Sequence, residues 1–144
     1  MEHPKSQQLA LWYGYFGLIP LLALSVLLVI PVMDSSLLRA AYDSYSAIIL
    51  AFMAGIYWSL ALQGQGPACP ARLMRASILL ALWGWFALAL PEVFRAMAFM
   101  LGFCVLYGID RYVLEDLWST AYLTMRGRLT LVVIATQVVV AVAG

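Results

Sequence analysis

Histidine and cysteine, the side chains that most often bind metals or carry out catalysis, are scarce in this sequence. His3 is the single histidine and lies in the polar N-terminal tail, and Cys69 and Cys104 lie far apart. A metal site needs several such ligands to converge, and a catalytic triad needs a histidine beside its nucleophile. We therefore predict no metal site, no cofactor and no enzymatic activity.

Ionisable side chains instead occur in pairs at helical spacing. Arg39 and Asp43 are four residues apart, and Glu92 and Arg95 are three apart, so each pair shares one face of a helix. All four would lie on the same side of a membrane and could cap a helical bundle as a charge cluster. Either they are solvated interfacial pairs, or they form a proton or polar-headgroup site.

A second group of charges contains Asp110, Arg111, Arg126 and Arg128. Asp110 ends a long uncharged run, so we expect it at the membrane boundary, paired with Arg126 or Arg128. The pairing either orients the intervening stretch or leaves the arginines to bind anionic lipid headgroups.

Polar or helix-breaking residues inside apolar runs mark a candidate ligand pocket. Pro20 lies in the middle of the first apolar run and predicts a kink. Tyr57 and Trp58 carry a hydroxyl and an indole N–H that are costly to leave unpaired in hydrocarbon. Gln137, about 15 Å into the last apolar run, is expected to form a hydrogen bond between helices.

Small side chains recur every four residues in the second apolar run, at Ala47, Ala51, Gly55 and Ser59. A row of small side chains lets a neighbouring helix approach closely. We interpret the row as a helix-packing seam, and alternatively as the border of the candidate pocket.

The composition identifies the solvent in which these residues work. Of 144 residues, 65% are hydrophobic and only 10% are charged, whereas soluble domains are about half apolar and a quarter charged. A core of this size cannot bury so much apolar surface, so a bilayer must cover it. A soluble enzyme, a disordered chain and a nucleic-acid-binding protein are excluded, and membrane lipids are expected partners.

Gaps between charged residues predict an all-α, polytopic bundle of five transmembrane helices in a single domain, since about 20 apolar residues span a membrane. The predicted helices are 9–32, 39–62, 72–90, 92–111 and 127–143. The stretch 112–126 has apolar residues at helical spacing and is predicted to be an interfacial amphipathic helix. Alternatively, the last helix begins near Leu117 and projects into the cytoplasm.

The distribution of lysine and arginine predicts the orientation of the five helices. Six of the eight basic residues fall on the side of the N-terminus and two, Arg39 and Arg95, on the other. Because the basic side faces the cytoplasm, the N-terminus is expected to be cytoplasmic and the C-terminus periplasmic in a bacterial inner membrane.

The segment from Tyr42 to Leu62 resembles the second helix of a bacterial and mitochondrial family represented in animals by transmembrane protein sixty-nine. That family's helix carries a Phe-x-Gly-Gly-x-His-Trp-Gly pattern, and the segment from Asp110 to Thr130 resembles its C-terminal part. Ala54, Tyr57 and Ser59 stand at the positions of the first glycine, the histidine and the last glycine. The resemblance implies a membrane fold and no known reaction, and Tyr57 could not act as a metal ligand there.

Two functions compete on these observations. Short loops, the lack of a soluble domain and the small-residue row favour a non-enzymatic accessory or assembly protein, working in a larger membrane complex or as a homo-oligomer. The aromatic residues and the kink at Pro20 favour a binding or carrier protein for a hydrophobic small molecule such as a quinone or a lipid.

Overall fold

The chain is mostly helical in the part that the computed structural model describes, which comprises residues 4–30, 35–64, 70–114 and 120–143. The helices are α1 Pro4–Phe16, α2 Ile19–Val29, α3 Ser35–Leu62, α4 Pro70–Ala87, α5 Glu92–Gly108, a π-helical turn Ile109–Val113, and α6 Thr120–Ala143. These ranges contain no β-strand, so the predicted all-α class is confirmed.

The first predicted helix is divided into α1 and α2 by a break at Gly17 and Leu18. Pro20, in the first turn of α2, has no N–H to donate, and its ring excludes a carbonyl one turn earlier. The helical hydrogen bonds therefore cannot continue through this point. Tyr45 on α3 donates its hydroxyl to the Gly17 carbonyl at 2.7 Å, which ties the break to the centre of the fold.

The last helix begins at Thr120 rather than at 127. Residues 120–126, predicted to be interfacial, are therefore the first two turns of α6, and residues 115–119 of the same prediction lie outside the described residues. The physical reason is Arg126, whose side chain is buried and paired within the protein, so the helix need not end before its arginines.

Four stretches of the described part are long and apolar enough to cross a membrane. They are Leu11–Val29, Ser35–Leu62, Glu92–Val113 and Thr120–Val142. α4 has 18 residues and carries Arg72 and Arg75 near its start, which lowers its hydropathy.

The outer surface of the bundle is strongly apolar. Phe52 on α3, Trp85 on α4, and Leu131 and Val142 on α6 are each at least 70% exposed. Exposure of so many large apolar side chains is rare on a soluble monomer. Together with the long apolar helices, it identifies the chain as a multi-pass membrane protein.

α3 lies at the centre of the bundle and packs against α2, α4 and α5, while α6 packs against α5, α2 and α1. The closest approach is between α3 and α4. A Cβ atom added to Gly84 would lie 3.5 Å from the Ala47 carbonyl oxygen and 3.3 Å from Leu50 Cδ2. Leu50 itself is fully buried, in the space that Gly84 leaves open.

Only one end of the predicted small-residue row forms a packing contact. Ala47 is buried against α4, Ala51 is half-buried, and Gly55 and Ser59 are exposed. Four residues of an α-helix turn by about 400°, so each step of the row moves about 40° around the helix. A row with this spacing cannot stay on one face of a straight helix, since its three steps add up to about 120°, and its second half therefore points outward.

We predict that Gly84→Leu lowers the free energy of unfolding by about 1–3 kcal/mol, because the side chain must enter occupied space beside the backbone of α3. Gly55→Leu is the matched control, since an added Cβ there meets nothing within 4 Å. It should be neutral or slightly stabilising, because leucine favours helix over glycine. Reversible SDS unfolding in mixed micelles measures both, and equal losses would contradict the close α3–α4 approach.

Candidate functional site

Long polar side chains join α3 to α6 across the middle of the bundle. Tyr42 donates its hydroxyl to Thr136 Oγ1 at 2.7 Å, and the Gln137 amide donates to Ser46 Oγ at 3.0 Å. All four side chains are buried. Because these bridges are long, α3 and α6 stay apart along their length, and space remains between them.

A cluster of four charged side chains lies at the end of the bundle where α3 and α5 begin. Arg39 pairs with Glu92 at 3.2 Å, and Arg95 pairs with Asp43 at 2.5 Å. Arg39 also donates to the Val140 carbonyl at 2.9 Å, so the cluster reaches the end of α6. The predicted pairs within helices are replaced by pairs between helices, because Arg39 points toward α5 and α6 rather than along its own helix.

A buried ion pair occupies the opposite end of the bundle. Arg126 Nε donates to Asp110 Oδ2 at 2.7 Å, and Arg126 Nη2 lies 2.5 Å from the same oxygen. The side chains of Asp110 and Arg126 are only 0% and 3% exposed. Of the two partners predicted for Asp110, the structure places Arg126 there, while Arg128 is exposed and lies 3.4 Å from the Tyr15 hydroxyl.

Tyr57 completes this buried network from α3. Its hydroxyl lies 2.9 Å from the Leu106 carbonyl oxygen and 3.1 Å from Asp110 Oδ1, so both oxygens share one donor. Asp110 belongs to the π-helical turn, and such turns often occur at functional sites. Arg111 follows it in the turn and is half-buried.

A cavity of about 350 Å³ lies next to this network, between the α1–α2 break, α3, α5 and α6. We call it the Arg126 cavity, because Arg126 is the charged residue in its lining. The lining residues are Tyr13, Gly14, Gly17, Leu18, Leu21, Ile49, Phe52, Met53, Ile56, Phe103, Tyr122, Met125, Arg126, Leu129, Thr130 and Val133. An apolar molecule with one polar end fits such a lining.

The four residues predicted for a ligand pocket do not line this cavity. Tyr57 and Gln137 are buried in the hydrogen bonds already described, and Trp58 is 41% exposed on the outer surface. Pro20 is half-buried and contributes to the cavity indirectly, because the helix break that it causes lies beside the cavity. The signal that sequence reasoning missed is a pair of glycines, Gly14 and Gly17, one turn apart just before the proline.

The described residues offer few groups for covalent or metal chemistry. They contain no group of three or more His, Cys, Asp or Glu side chains that could hold a metal ion. Cys104 is an exposed free thiol, and His3 and Cys69 lie outside the described residues. The arrangement is suited to binding a small molecule, because it combines an apolar cavity with a buried guanidinium group at the cavity wall.

Comparison with known proteins places the chain in a family without assigning it a reaction. No curated protein and no solved structure matches it. The family described as "Protein of unknown function (DUF3429)" matches residues 6–142, almost the whole chain. This multi-pass helical membrane protein therefore belongs to the DUF3429 family.

Proposed function

We propose that this protein crosses a bacterial inner membrane five times and binds a hydrophobic small molecule, a lipid or a quinone, in the Arg126 cavity. The observation that carries the binding proposal is the cavity itself. Its volume of about 350 Å³ lies in the range of about 300–1,000 Å³ that is typical of ligand pockets. Like those pockets, it is lined mainly by apolar side chains and has one charged group at its wall.

The fifth span in this proposal is α4. Its 18 residues extend about 27 Å, close to the thickness of the hydrocarbon core of a bilayer. Arg72 and Arg75 lie in its first two turns, where their stems can cover apolar surface while their charged ends reach the interface. With α4 included, the N-terminus is cytoplasmic and the C-terminus periplasmic, as the distribution of basic residues favours.

Reporter fusions test this topology. We predict that alkaline phosphatase fused after Gly144 is active and that green fluorescent protein at the same position is dark, because the C-terminus lies in the periplasm. Green fluorescent protein inserted after Gly64 should fluoresce, since that loop is cytoplasmic in the proposed arrangement. A fluorescent C-terminal fusion would contradict five spans.

Filling the cavity tests the binding proposal. Val133 is buried and lines the Arg126 cavity, whereas Val138 on the same helix is 47% exposed. We predict that Val133→Phe weakens ligand binding by about tenfold or more, because the larger side chain occupies part of the cavity. A tenfold change in affinity corresponds to the loss of only about 1.4 kcal/mol of binding free energy. Val138→Phe is the control and should bind as the parent protein does.

Native mass spectrometry of the detergent-purified protein gives the measurement. The parent protein and Val138→Phe should carry a small apolar adduct, and its occupancy should fall in Val133→Phe. A parent protein without an adduct, or the same occupancy in both variants, would contradict the proposal.

A role as an accessory or assembly protein is a second proposal, supported by the outward-facing half of the small-residue row. Gly55 and Ser59 are exposed on α3, the central helix, where another helix could approach closely. We also propose that the chain is related to the transmembrane protein sixty-nine family, on the basis of the sequence resemblance described above. Crosslinking in native membranes from a Gly55→Cys variant should capture a second copy or a larger complex, and a product of monomer size alone would contradict it.

A further inference from the structure

A second cavity lies on the outer surface of the bundle, between α4 and α5. Its volume is about 350 Å³, and its lining consists of apolar residues from 76–83 of α4 and 101–109 of α5. In this lining Leu79 and Leu101 are 64% and 53% exposed, whereas Leu80 is buried. The cavity is therefore open to the surrounding lipid, and we call it the α4–α5 groove.

Trp83 closes one end of the groove. Its indole Nε1 donates to the Ala98 carbonyl at 2.7 Å, and its Cδ1 atom lies 3.2 Å from the position of a Cβ atom added to Gly102. α4 and α5 are thus in close contact at this point. From Trp83 the groove extends about 10 Å along α4 to Ala76, toward the end of the bundle where α4 begins.

Arg72 lies on the same face of α4 as the groove, one turn before Ala76. Ala76, Leu79 and Trp83 follow Arg72 after four, seven and eleven residues, and these spacings keep them within about 40° of Arg72 around the helix. Arg72 is exposed and belongs to the first turn of α4. Its guanidinium group therefore lies at the level of the lipid headgroups when α4 crosses the membrane.

The described part of the chain contains no acidic side chain that neutralises Arg72. Asp43 and Glu92 lie at the opposite end of the bundle, and Asp110 is buried in the ion pair already described. Arg75, also exposed, adds a second positive charge nearby. Basic residues at the membrane interface attract anionic headgroups, and the planar guanidinium fork fits a phosphate group with two hydrogen bonds.

We propose that the α4–α5 groove binds an anionic phospholipid of the surrounding bilayer, with one acyl chain in the groove and the phosphate on Arg72. An apolar groove alone accepts any hydrocarbon, and an exposed arginine alone attracts any anion. A ligand that fits both joins an anionic group to a hydrocarbon chain, and the bilayer itself supplies such molecules. This site is separate from the Arg126 cavity, and the inference rests on the proposed passage of α4 through the membrane.

Three probes with identical acyl chains test the headgroup preference. They are dioleoyl phosphatidylglycerol, which is anionic, dioleoyl phosphatidylcholine, which is zwitterionic, and dioleoylglycerol, which has no phosphate. Native mass spectrometry of the detergent-purified full-length protein separates the bound probes by mass. Phosphatidylglycerol should bind about fivefold more tightly than phosphatidylcholine, since attraction to one interfacial arginine is worth roughly that factor. Dioleoylglycerol should bind most weakly.

Arg72→Gln tests the headgroup contact. It should remove the preference of about fivefold for phosphatidylglycerol, because the groove then keeps its chain contacts and loses the charge at its end. Arg128→Gln is the matched control, since Arg128 is also exposed but lies on α6 beside Tyr15, away from the groove. Equal losses in the two variants would overturn the inference, because the preference would then reflect surface charge in general.

Val105→Trp tests the chain contact. Val105 lines the groove and is 44% exposed, so a larger side chain fills the groove rather than the core. The variant should bind all three probes at least about fivefold more weakly than the parent protein. Val93→Trp on the same helix is the control, because Val93 is 63% exposed and does not line the groove. The same binding in both variants would overturn the inference.

The outcomes separate the groove site from the proposed function of the Arg126 cavity. If Val133→Phe abolishes lipid binding while Val105→Trp leaves it unchanged, the lipid lies in the Arg126 cavity, and the groove site is overturned while the binding function stands. If phosphatidylglycerol binding depends on Arg72 and Val105 but Val133→Phe changes no adduct, the groove site is supported and the binding function of the Arg126 cavity fails.

Discussion

Asp110→Ala is expected to lower the free energy of unfolding by about 3–5 kcal/mol, the usual cost of removing one partner from a buried ion pair. Arg126 would keep its charge with only 3% of its side chain exposed, and the Tyr57 hydroxyl would lose one of its two acceptors. Reversible unfolding in mixed micelles with increasing SDS, followed by far-ultraviolet circular dichroism, measures the change.

Arg128→Ala is the matched control for this result. Arg128 lies on α6, as Arg126 does, but it is exposed, and among the described residues it makes a 3.4 Å contact with the Tyr15 hydroxyl, so its loss should cost less than about 1 kcal/mol. Adding Arg126→Leu to Asp110→Ala should restore part of the lost stability, because no unpaired charge then remains buried. Equal losses in Asp110→Ala and Arg128→Ala would show that the buried pair does not hold the fold together.

The second large effect is expected at the opposite end of the bundle. Arg95→Ala should lower the free energy of unfolding by about 2–3 kcal/mol, less than for a fully buried pair because Arg95 is 22% exposed. The loss leaves Asp43 without its ion-pair partner at 9% side-chain exposure and removes a donor from the Leu90 carbonyl. The same unfolding measurement applies.

Glu92→Ala tests whether burial or the mere presence of an ion pair matters at this end. The Glu92 side chain is 53% exposed in its pair with Arg39, so its loss should cost less than about 1 kcal/mol. A Glu92→Ala loss as large as that of Arg95→Ala would mean that the four charges act as one network rather than as a buried pair and an exposed pair.

The sequence predicted that Asp110 pairs with an arginine, but it could not decide which arginine. The length of the uncharged run before Asp110 predicted a boundary position and pairing with one of two arginines. Arg126 and Arg128 are two residues apart and therefore differ by about 200° around the helix. Which one faces Asp110 depends on the rotation of α6 about its axis, and that rotation is set by packing against α5, α2 and α1.

The cavity was beyond sequence reasoning for a related reason. Pro20 correctly indicated an interruption, and Gln137 was correctly expected to bond between helices, as its amide does with Ser46. The cavity, however, is the space that remains when long side chains hold α3 and α6 apart and the broken first helix does not fill the gap. A space of this kind belongs to no residue pattern, since its lining comes from four separate parts of the chain.

The sequence by itself determined the solvent and the class of secondary structure: 65% hydrophobic residues with widely spaced charges require a lipid environment, and in lipid the backbone must satisfy its own hydrogen bonds within helices. Only the tertiary structure decided which charges pair, which half of the small-residue row is buried, and where a ligand could lie. The physical reason is that helix formation depends on neighbours along the chain. Pairing and cavities depend instead on the rotation and separation of helices, to which residues far apart in the sequence contribute jointly.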